Sequence, residues 1–325
     1  MKEFRHPQVI SKKLDALSGY YAIAENTVMH NKHLIFSADI DGAFDGMLSL
    51  GHGKTKYSSS YIEITDKTVA VRHYYSEPRE IGVYEHGLEL SGFVTVNIDT
   101  AYGNADITIY TPGGKFRLDA VSWSGRNGEI FMEKDGTPLK NAKCNWFCDD
   151  YSKEIWLFGD SYFNVGDPGR WPYYLREDGY ANHFMTGYPG MGSEPAIANF
   201  KDSLKYGRPK FAVWCMGMNN GDKDGILNEA WLRSTEEFLA ICRELDIVPI
   251  LSTIPSTPKV NNVQKNEYVR NSGCRYIDFN RAVGADNDVH WYPEMLYKDE
   301  VHPWHPGAVA LYQQVLVDFP EITYK

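Results

Sequence analysis

The period of the hydrophobic pattern changes near residue 150, and this change constrains the fold more than any other feature of the chain. From about residue 32 to residue 147, apolar and polar residues tend to alternate, as in YIEITDKTVAVRHYY (61–75) and ADITIYT (105–111). Alternation with period two and enrichment in Val, Ile, Thr and Tyr are typical of strands that bury one face. Segments rich in Gly, Asn and Pro separate the alternating stretches. Residues 1–150 are therefore predicted to form an all-β sandwich domain, jelly-roll-like.

After residue 150, short apolar runs alternate with longer amphipathic stretches. The runs include IWLF (155–158), FAVWCMG (211–217) and IVPILSTI (247–254). Strands of this kind need cover on both faces, which a parallel sheet between helices provides. ILNEAWLRSTEEFLAICREL (226–245) has helical spacing, and HPGAVALYQQVLVDF (305–319) predicts a last helix with Pro at a permitted position. Residues 151–325 are predicted to form an α/β/α domain.

Charge and composition restrict the partners. The 325 residues include 43 acidic and 33 basic side chains, and the net charge is −10. No stretch concentrates Lys and Arg, so nucleic acid is not an expected partner. No apolar run reaches 18 residues, which predicts no membrane span. No signal peptide is visible in MKEFRHPQVI, so the compartment is either the cytoplasm or, if a leader is missing from this chain, outside the cell. The oligomeric state is left open.

The cysteines do not suggest a disulfide framework. They are odd in number and scattered, at Cys144, Cys148, Cys215, Cys242 and Cys274. The first two have three residues between them and could form half of a zinc site. No second pair of ligands follows nearby, so zinc is not the expected interpretation.

One serine stands where chemistry is expected in a parallel sheet. In FGDSY, Ser161 follows the first apolar run of the second half, and GMNNGD (217–222) follows a later one. Ligands bind beyond the carboxyl ends of parallel strands, so both segments are expected at one edge. A serine attacks only if a histidine accepts its proton and an acid orients that histidine. KDEVHPWHPG (298–307) supplies such a pair, Asp299 and His302.

Acyl transfer also needs hydrogen-bond donors for the developing oxyanion. The candidates are the backbone N–H of Ser161, a glycine amide of YPGMGSE (188–194) and the side-chain amide of Asn219. Glycine suits this role because a backbone without a Cβ lets the substrate oxygen approach closely. Spacing alone leaves Gly190 and Gly192 as alternatives.

The segments FGDSY, GMGSE, GMNN and DEVHPWHPG resemble, in order and spacing, the conserved blocks of the SGNH (GDSL) hydrolase family over about residues 153–325. The resemblance implies a flavodoxin-like α/β/α domain without a metal or organic cofactor. It implies that Ser161 is the nucleophile and that its amide, Gly192 and Asn219 form the oxyanion hole. It also implies that Asp299 and His302 complete the site.

The chain departs from the family pattern at two positions. Asn220 stands where the third block usually has Asp, and Tyr162 replaces a frequent leucine. Residues 1–150 lie outside the resemblance, although a β-sandwich precedes a similar domain in some carbohydrate esterases. The resulting expectation is a serine esterase that removes an O-acyl group, most simply acetyl, from a carbohydrate or another small-molecule ester.

Other interpretations stay open from the sequence. Ser161 could merely cap a helix, and NNGD could be only a tight turn. His305 could replace His302 as the base, Ser252 also ends an apolar run, and Asp299 with both histidines could bind a metal. The absence of Gly-x-Ser-x-Gly argues against an α/β-hydrolase elbow.

Aromatic residues flank the proposed site and suit sugar rings, although aromatic side chains more often pack in cores. Tyr162, Tyr188 and Trp304 are the predicted substrate contacts.

Two other functions remain possible from the sequence. A catalytically silent glycan-binding protein is favoured by Asn220 in place of the usual acid. A lipid acylhydrolase is disfavoured because no long apolar lid segment is visible.

Overall fold

The computed structural model describes residues 9–26, 32–54, 59–74, 76–101, 103–124, 128–163, 168–180, 182–187, 190–223, 225–286 and 289–324. The chain divides into two compact units, and the division falls between Asp150 and Tyr151. The first unit holds a large antiparallel sheet and the second a parallel sheet with helices. Both sheet types agree with the change in hydrophobic period. Among the described residues, no helix is long and apolar enough to cross a membrane.

The described part of the first unit contains ten strands. They are β1 (Ile10–Asn26), β2 (Lys32–Ile40), β3 (Met47–His52), β4 (Ser59–Ile64), β5 (Thr68–Tyr74), β6 (Pro78–Glu85), β7 (Gly92–Ala101), β8 (Asn104–Thr111), β9 (Gly114–Ser122) and β10 (Gly128–Cys148). The alternating segment 61–75 forms parts of two strands, because Thr65 donates its N–H to the Thr68 carbonyl and turns the chain.

Two arms of antiparallel strands diverge from the long strand β10. The order is β6-β5-β4-β3-β10-β2-β7-β8-β9, and β1 pairs with β10 along its length. The first part of β10 (130–135) pairs with β3, and the last part (140–148) pairs with β2. Side chains of both arms, such as Phe36 and Val96 from one and Leu48 and Ile64 from the other, surround one small apolar cavity of about 10 Å³. Both arms therefore contribute side chains to one apolar core.

The second unit alternates strands and helices. Its strands are β11 (Ile155–Gly159), β12 (His183–Gly187), β13 (Phe211–Cys215), β14 (Val248–Ser252) and β15 (Arg275–Ile277), followed by the short pair β16 (Gly284–Asp286) and β17 (His290–Trp291). Its helices are α1 (Trp171–Glu177), α2 (Ser193–Ser203), α3 (Glu229–Glu244), α4 (Val263–Asn271), α5 (Phe279–Val283) and α6 (His305–Asp318). The last helix forms where the sequence predicts it. Helix α3 begins at Glu229 because the Asn228 side chain accepts the N–H of Trp231.

The parallel sheet has a strand order that creates a ligand-binding edge. Its order is β12-β11-β13-β14-β15, with every pair parallel. Numbered within this unit, the order is 2-1-3-4-5, which is that of flavodoxin-like sheets. Helices α2 and α3 pack against each other, and α6 packs against α1 and α5. In such a sheet, the crevice lies beyond the carboxyl ends of the first and third strands, here β11 and β13.

Candidate active site

The turn that carries Ser161 follows β11 directly and is held by its neighbours. A Cβ on Gly159 would overlap the Phe163 ring, so the turn requires glycine there. Asp160 Oδ1 accepts the N–H of Tyr162 at 3.1 Å, and Arg170 Nε donates to the Ser161 carbonyl at 2.9 Å. The oxygen that caps this turn therefore belongs to Asp160, and not to Ser161 as the capping interpretation of the sequence required. The Ser161 hydroxyl contacts a different partner.

That partner is His302, which lies 141 residues further along the chain. Ser161 Oγ and His302 Nε2 are 2.8 Å apart, and His302 Nδ1 lies 2.7 Å from Asp299 Oδ2. Because the carboxylate accepts the Nδ1 proton, Nε2 carries the lone pair, and the serine hydroxyl donates to it. The three side chains are therefore arranged so that a proton can pass from serine to histidine.

A short hairpin turn presents Asp299 and His302 together. Tyr297 N–H donates to the His302 carbonyl at 2.8 Å, and Glu300 takes the left-handed conformation (φ 60°) that reverses the chain. Asp299 Oδ1 accepts the N–H groups of Val301 (3.0 Å) and His302 (2.9 Å). Burial opposes the negative charge, but the hydrogen bonds from His302 and Val301 outweigh it and lower the pKa of Asp299 to about 2. Asp299 is consequently ionised at neutral pH.

The predicted substrate contacts have different environments. Tyr162 is 7% exposed, and its hydroxyl donates to the Val301 carbonyl at 2.5 Å, which ties the serine turn to the histidine turn. This position favours a bracing role over the substrate contact expected for it. Trp304 is 43% exposed and stacks on Tyr297 and His305, with ring centroids 5.2 and 4.5 Å away. Tyr188 lies outside the described residues.

The candidate oxyanion donors lie on two segments that bond to each other. Asn219, in the loop after β13, donates one Nδ2 hydrogen to the Met191 carbonyl at 3.0 Å, and its amide group carries a second Nδ2 hydrogen. Asn220 Oδ1 accepts the N–H of Ser193 at 2.8 Å, at the start of α2. Gly192 immediately precedes α2, and a Cβ there would lie 3.3 Å from Asn220 Oδ1.

Asn220 therefore performs a definite structural task in place of the usual acid, because it anchors the loop after β13 to the N-terminus of α2. Gly190, the other candidate for the glycine amide, is exposed and takes a positive φ of 75°. A Cβ at Gly190 would meet no atom within 4 Å, so close packing of the described residues is not what requires glycine there.

The residues that the sequence offered as alternatives to Ser161 and His302 have other contacts. The His305 ring stacks on Trp304 at the start of α6, whereas the Ser161 hydroxyl bonds to His302. Ser252 is 2% exposed, and its hydroxyl faces the Trp214 carbonyl at 3.5 Å. Across the described ranges, no three His, Cys, Asp or Glu side chains come together as a metal site would need.

Cys144 and Cys148 are buried thiols on β10 and are not joined in a disulfide. The two residues are four steps apart along an extended strand, so their Cα atoms lie about 13 Å apart, which is too far for both thiolates to bind one zinc ion.

The sequence did not single out Asp160 or Arg170. Asp160 is 2% exposed, and burial raises its pKa to about 7 although the Tyr162 N–H opposes this shift. It lines a cavity of about 20 Å³ together with Tyr162, Met218 and other residues of the strand ends. The only signal in the sequence was its position beside Ser161. Arg170 had none, because its contact with the Ser161 carbonyl depends on how the chain returns to the turn.

Comparison with solved structures gives partial matches at low identity. A GDSL-like lipase from Bacteroides thetaiotaomicron is 16% identical with a TM-score of 0.39, over 50% of this chain and 85% of that one. A carbohydrate esterase family 3 structure from Talaromyces cellulolyticus is 14% identical with a TM-score of 0.43, over 53% of this chain and 98% of that one. The chain is thus similar in part of its fold to a GDSL-like lipase and to a carbohydrate esterase.

Caenorhabditis elegans galectin LEC-6 also matches, with 10% identity and a TM-score of 0.30, over 41% of this chain and 94% of that one. No protein-family model and no curated protein matches the sequence. Since these TM-scores lie below 0.5, the case for a function depends on the geometry of the site.

Proposed function

We propose that the protein is a serine esterase that hydrolyses an O-acyl ester through an acyl-enzyme on Ser161. The observation that carries the proposal is the 2.8 Å contact between Ser161 Oγ and His302 Nε2, with Asp299 Oδ2 at 2.7 Å from the other ring nitrogen. Nucleophile, base and orienting acid are thus within the distances that proton transfer requires.

In the first half-reaction, Ser161 Oγ attacks the ester carbonyl carbon while its proton passes to His302 Nε2. Asp299 holds the imidazole in the required tautomer and stabilises the imidazolium. The tetrahedral oxyanion accepts hydrogen bonds from the Ser161 N–H, the Gly192 N–H and Asn219 Nδ2. The C–O bond to the alcohol then breaks, and His302 returns the proton to the departing oxygen.

In the second half-reaction, His302 takes a proton from water, and the resulting hydroxide equivalent attacks the acyl carbon. Collapse of the second tetrahedral intermediate breaks the bond to Ser161 Oγ, which recovers its proton from His302. The products are the free acid and the alcohol, and the side chains return to their starting state.

The favoured substrate is an O-acetyl ester of a carbohydrate. The cavity lined by both neighbours of Ser161, Asp160 and Tyr162, measures about 20 Å³, which is room for about one water-sized group and not for a long alkyl chain. The exposed Trp304 and its stacked partner Tyr297 lie in the turn that carries His302, where rings suit the C–H faces of a sugar. In this proposal, residues 151–325 are the catalytic domain, and residues 1–150 are an accessory β-sandwich, jelly-roll-like.

The direct test is hydrolysis of 4-nitrophenyl acetate, butyrate and octanoate by the wild type and by Ser161→Ala. We expect acetate to be preferred and the substitution to lower kcat by about 10³-fold or more. Ser272→Ala, at a turn after α4, is the matched serine control and should retain full activity. A fluorophosphonate should label the wild type at Ser161.

Equal rates for the wild type and Ser161→Ala would refute the proposal. Binding to an acetylated glycan without any turnover would favour a glycan-binding protein instead. Preference for the octanoate ester would favour a lipid acylhydrolase.

A further inference from the structure

The loop that carries Asn219 packs at both of its ends against one buried lysine side chain. Lys265 extends from α4 and is 0% exposed. At the start of the loop, a Cβ on Gly217 would lie 2.9 Å from Ile254 Cδ1, 3.0 Å from Trp231 Nε1 and 3.1 Å from Lys265 Cδ. Glycine therefore lets the loop backbone pack closely on these side chains, the lysine stem among them. At the end of the loop, Lys265 Nζ lies 2.9 Å from Asp222 Oδ1. A single side chain therefore contacts both ends of the segment 217–222.

Further contacts attach the end of this loop to the region around α4. Asp222 donates its N–H to the Asn261 carbonyl at 2.9 Å, and its Oδ1 also accepts the N–H of Asn228 at 3.1 Å. Lys265 Nζ donates a second bond to Asn262 Oδ1, also at 2.9 Å. The side chain of Asp222, like that of Lys265, is 0% exposed. Lysine and aspartate thus form a buried ion pair, and its other hydrogen bonds join it to Asn262, beside α4, and to Asn228, at the start of α3.

Stability alone is a weak reason for such a pair. Removing two charges from water costs about as much as their attraction returns, and apolar residues of similar volume often stabilise a fold as well or better. A buried ion pair does impose one geometry on the segments it joins. Here one of those segments carries the side-chain amide of Asn219, which faces the oxyanion in the proposed reaction.

We propose that Lys265 is a positioning residue for the reaction. Through its contacts with Gly217 and Asp222, it holds the loop so that Asn219 Nδ2 points at the oxyanion. The inference rests on the proposed function and adds to it a residue that does not touch the substrate.

A double-mutant cycle tests this role. Asn219→Ala should lower kcat on 4-nitrophenyl acetate by about 10²–10³-fold, because one oxyanion donor is lost. Lys265→Met, which keeps an unbranched side chain but removes the ammonium group, should lower kcat by roughly 10–100-fold with little change in KM. If Lys265 acts through Asn219, the double variant should be no slower than Asn219→Ala alone. Effects that multiply in the double variant would overturn the proposal, as would a folded Lys265→Met variant with wild-type kcat.

A second variant separates positioning from stability. Lys265→Met leaves the Asp222 carboxylate buried without its cation, so this variant should lose stability to urea. Lys265→Met/Asp222→Asn removes both charges and should recover stability while kcat stays low. Recovery of kcat together with stability would show a purely structural role and overturn the inference. The matched control is Lys201→Met, which removes an exposed lysine of α2 that pairs with Glu237 of α3, and this variant should have the activity and stability of the wild type.

The same experiments distinguish failure of the proposed esterase function from failure of the positioning role of Lys265. If Ser161→Ala and Asn219→Ala are as fast as the wild type, the proposed function fails. If both are slow but the effect of Lys265→Met is absent or independent of Asn219, only the positioning role fails.

Discussion

Replacing Asp299 by Asn should disable the base while leaving the fold intact. The backbone N–H groups of Val301 and His302 both donate to Asp299 Oδ1, so the amide oxygen of an introduced asparagine must occupy that position. Its NH₂ group then takes the place of Oδ2, 2.7 Å from His302 Nδ1. To avoid two facing donors, His302 must carry its proton on Nε2, which then faces Ser161 and accepts nothing.

The size of the effect follows from what the reactive tautomer would cost. The reactive tautomer has its proton on His302 Nδ1, where it would face the NH₂ group of the introduced asparagine. Leaving these N–H groups unpaired costs about 1–3 kcal/mol. The charge-assisted bond from His302 to the Asp299 carboxylate, worth about 1.5–3 kcal/mol, would also be lost. The sum of about 2.5–6 kcal/mol corresponds to roughly 10²–10⁴ in rate. Asp299 is 39% exposed, so solvent competition favours the lower half of this range.

The assay is kcat/KM on 4-nitrophenyl acetate at pH 7–8, with circular dichroism to verify folding. Asp299→Ala is the informative companion, since it leaves Nδ1 to water and does not dictate the tautomer. We expect Asp299→Asn to be as slow as Asp299→Ala or slower. An Asp299→Asn enzyme within tenfold of the wild type, or one much faster than Asp299→Ala, would refute the tautomer argument.

Three further outcomes are expected. Tyr162→Phe leaves the Val301 carbonyl without its donor and should lower the free energy of unfolding by about 1–3 kcal/mol in urea titrations; an unchanged midpoint would contradict the bracing role. Asn220→Asp places a negative charge at the N-terminus of α2, where it bonds to Ser193, and should raise stability by about 0.3–1 kcal/mol; a lower Tm would contradict this. Burial lowers the pKa of Lys32 from an ordinary 10.5 to about 7. Between pH 7 and pH 10.5, Lys32 is therefore protonated in the unfolded chain but neutral in the folded chain. The free energy of unfolding consequently rises with pH across this range. Lys32→Met should therefore gain stability relative to the wild type by about 2 kcal/mol more at pH 6 than at pH 9 in urea titrations, and an equal gain at both would contradict the shift.

Local sequence determined those features whose physical cause is local. An alternating pattern indicates a strand with one buried face, and a continuous apolar run indicates a strand with both faces buried. The two types of sheet were therefore predictable from the sequence. Asp299 and His302 lie three residues apart in one turn, so their pairing needed no long-range information. The helix at His305–Asp318 was predictable for the same reason. Strand β12 and helix α2 were not predicted, because their short or mixed segments have no clear period.

The tertiary structure alone decided which of the local features meet. The 2-1-3-4-5 strand order brings the ends of β11 and β13 side by side, and the chain returns after α5 so that His302 reaches Ser161 across 141 residues. The bracing position of Tyr162 and the burial of Lys265 inside the Asn219 loop also depend on segments distant in sequence. A residue's neighbours within the chain set its backbone preference, but its charge state and contact partners depend on which distant segments exclude water from it.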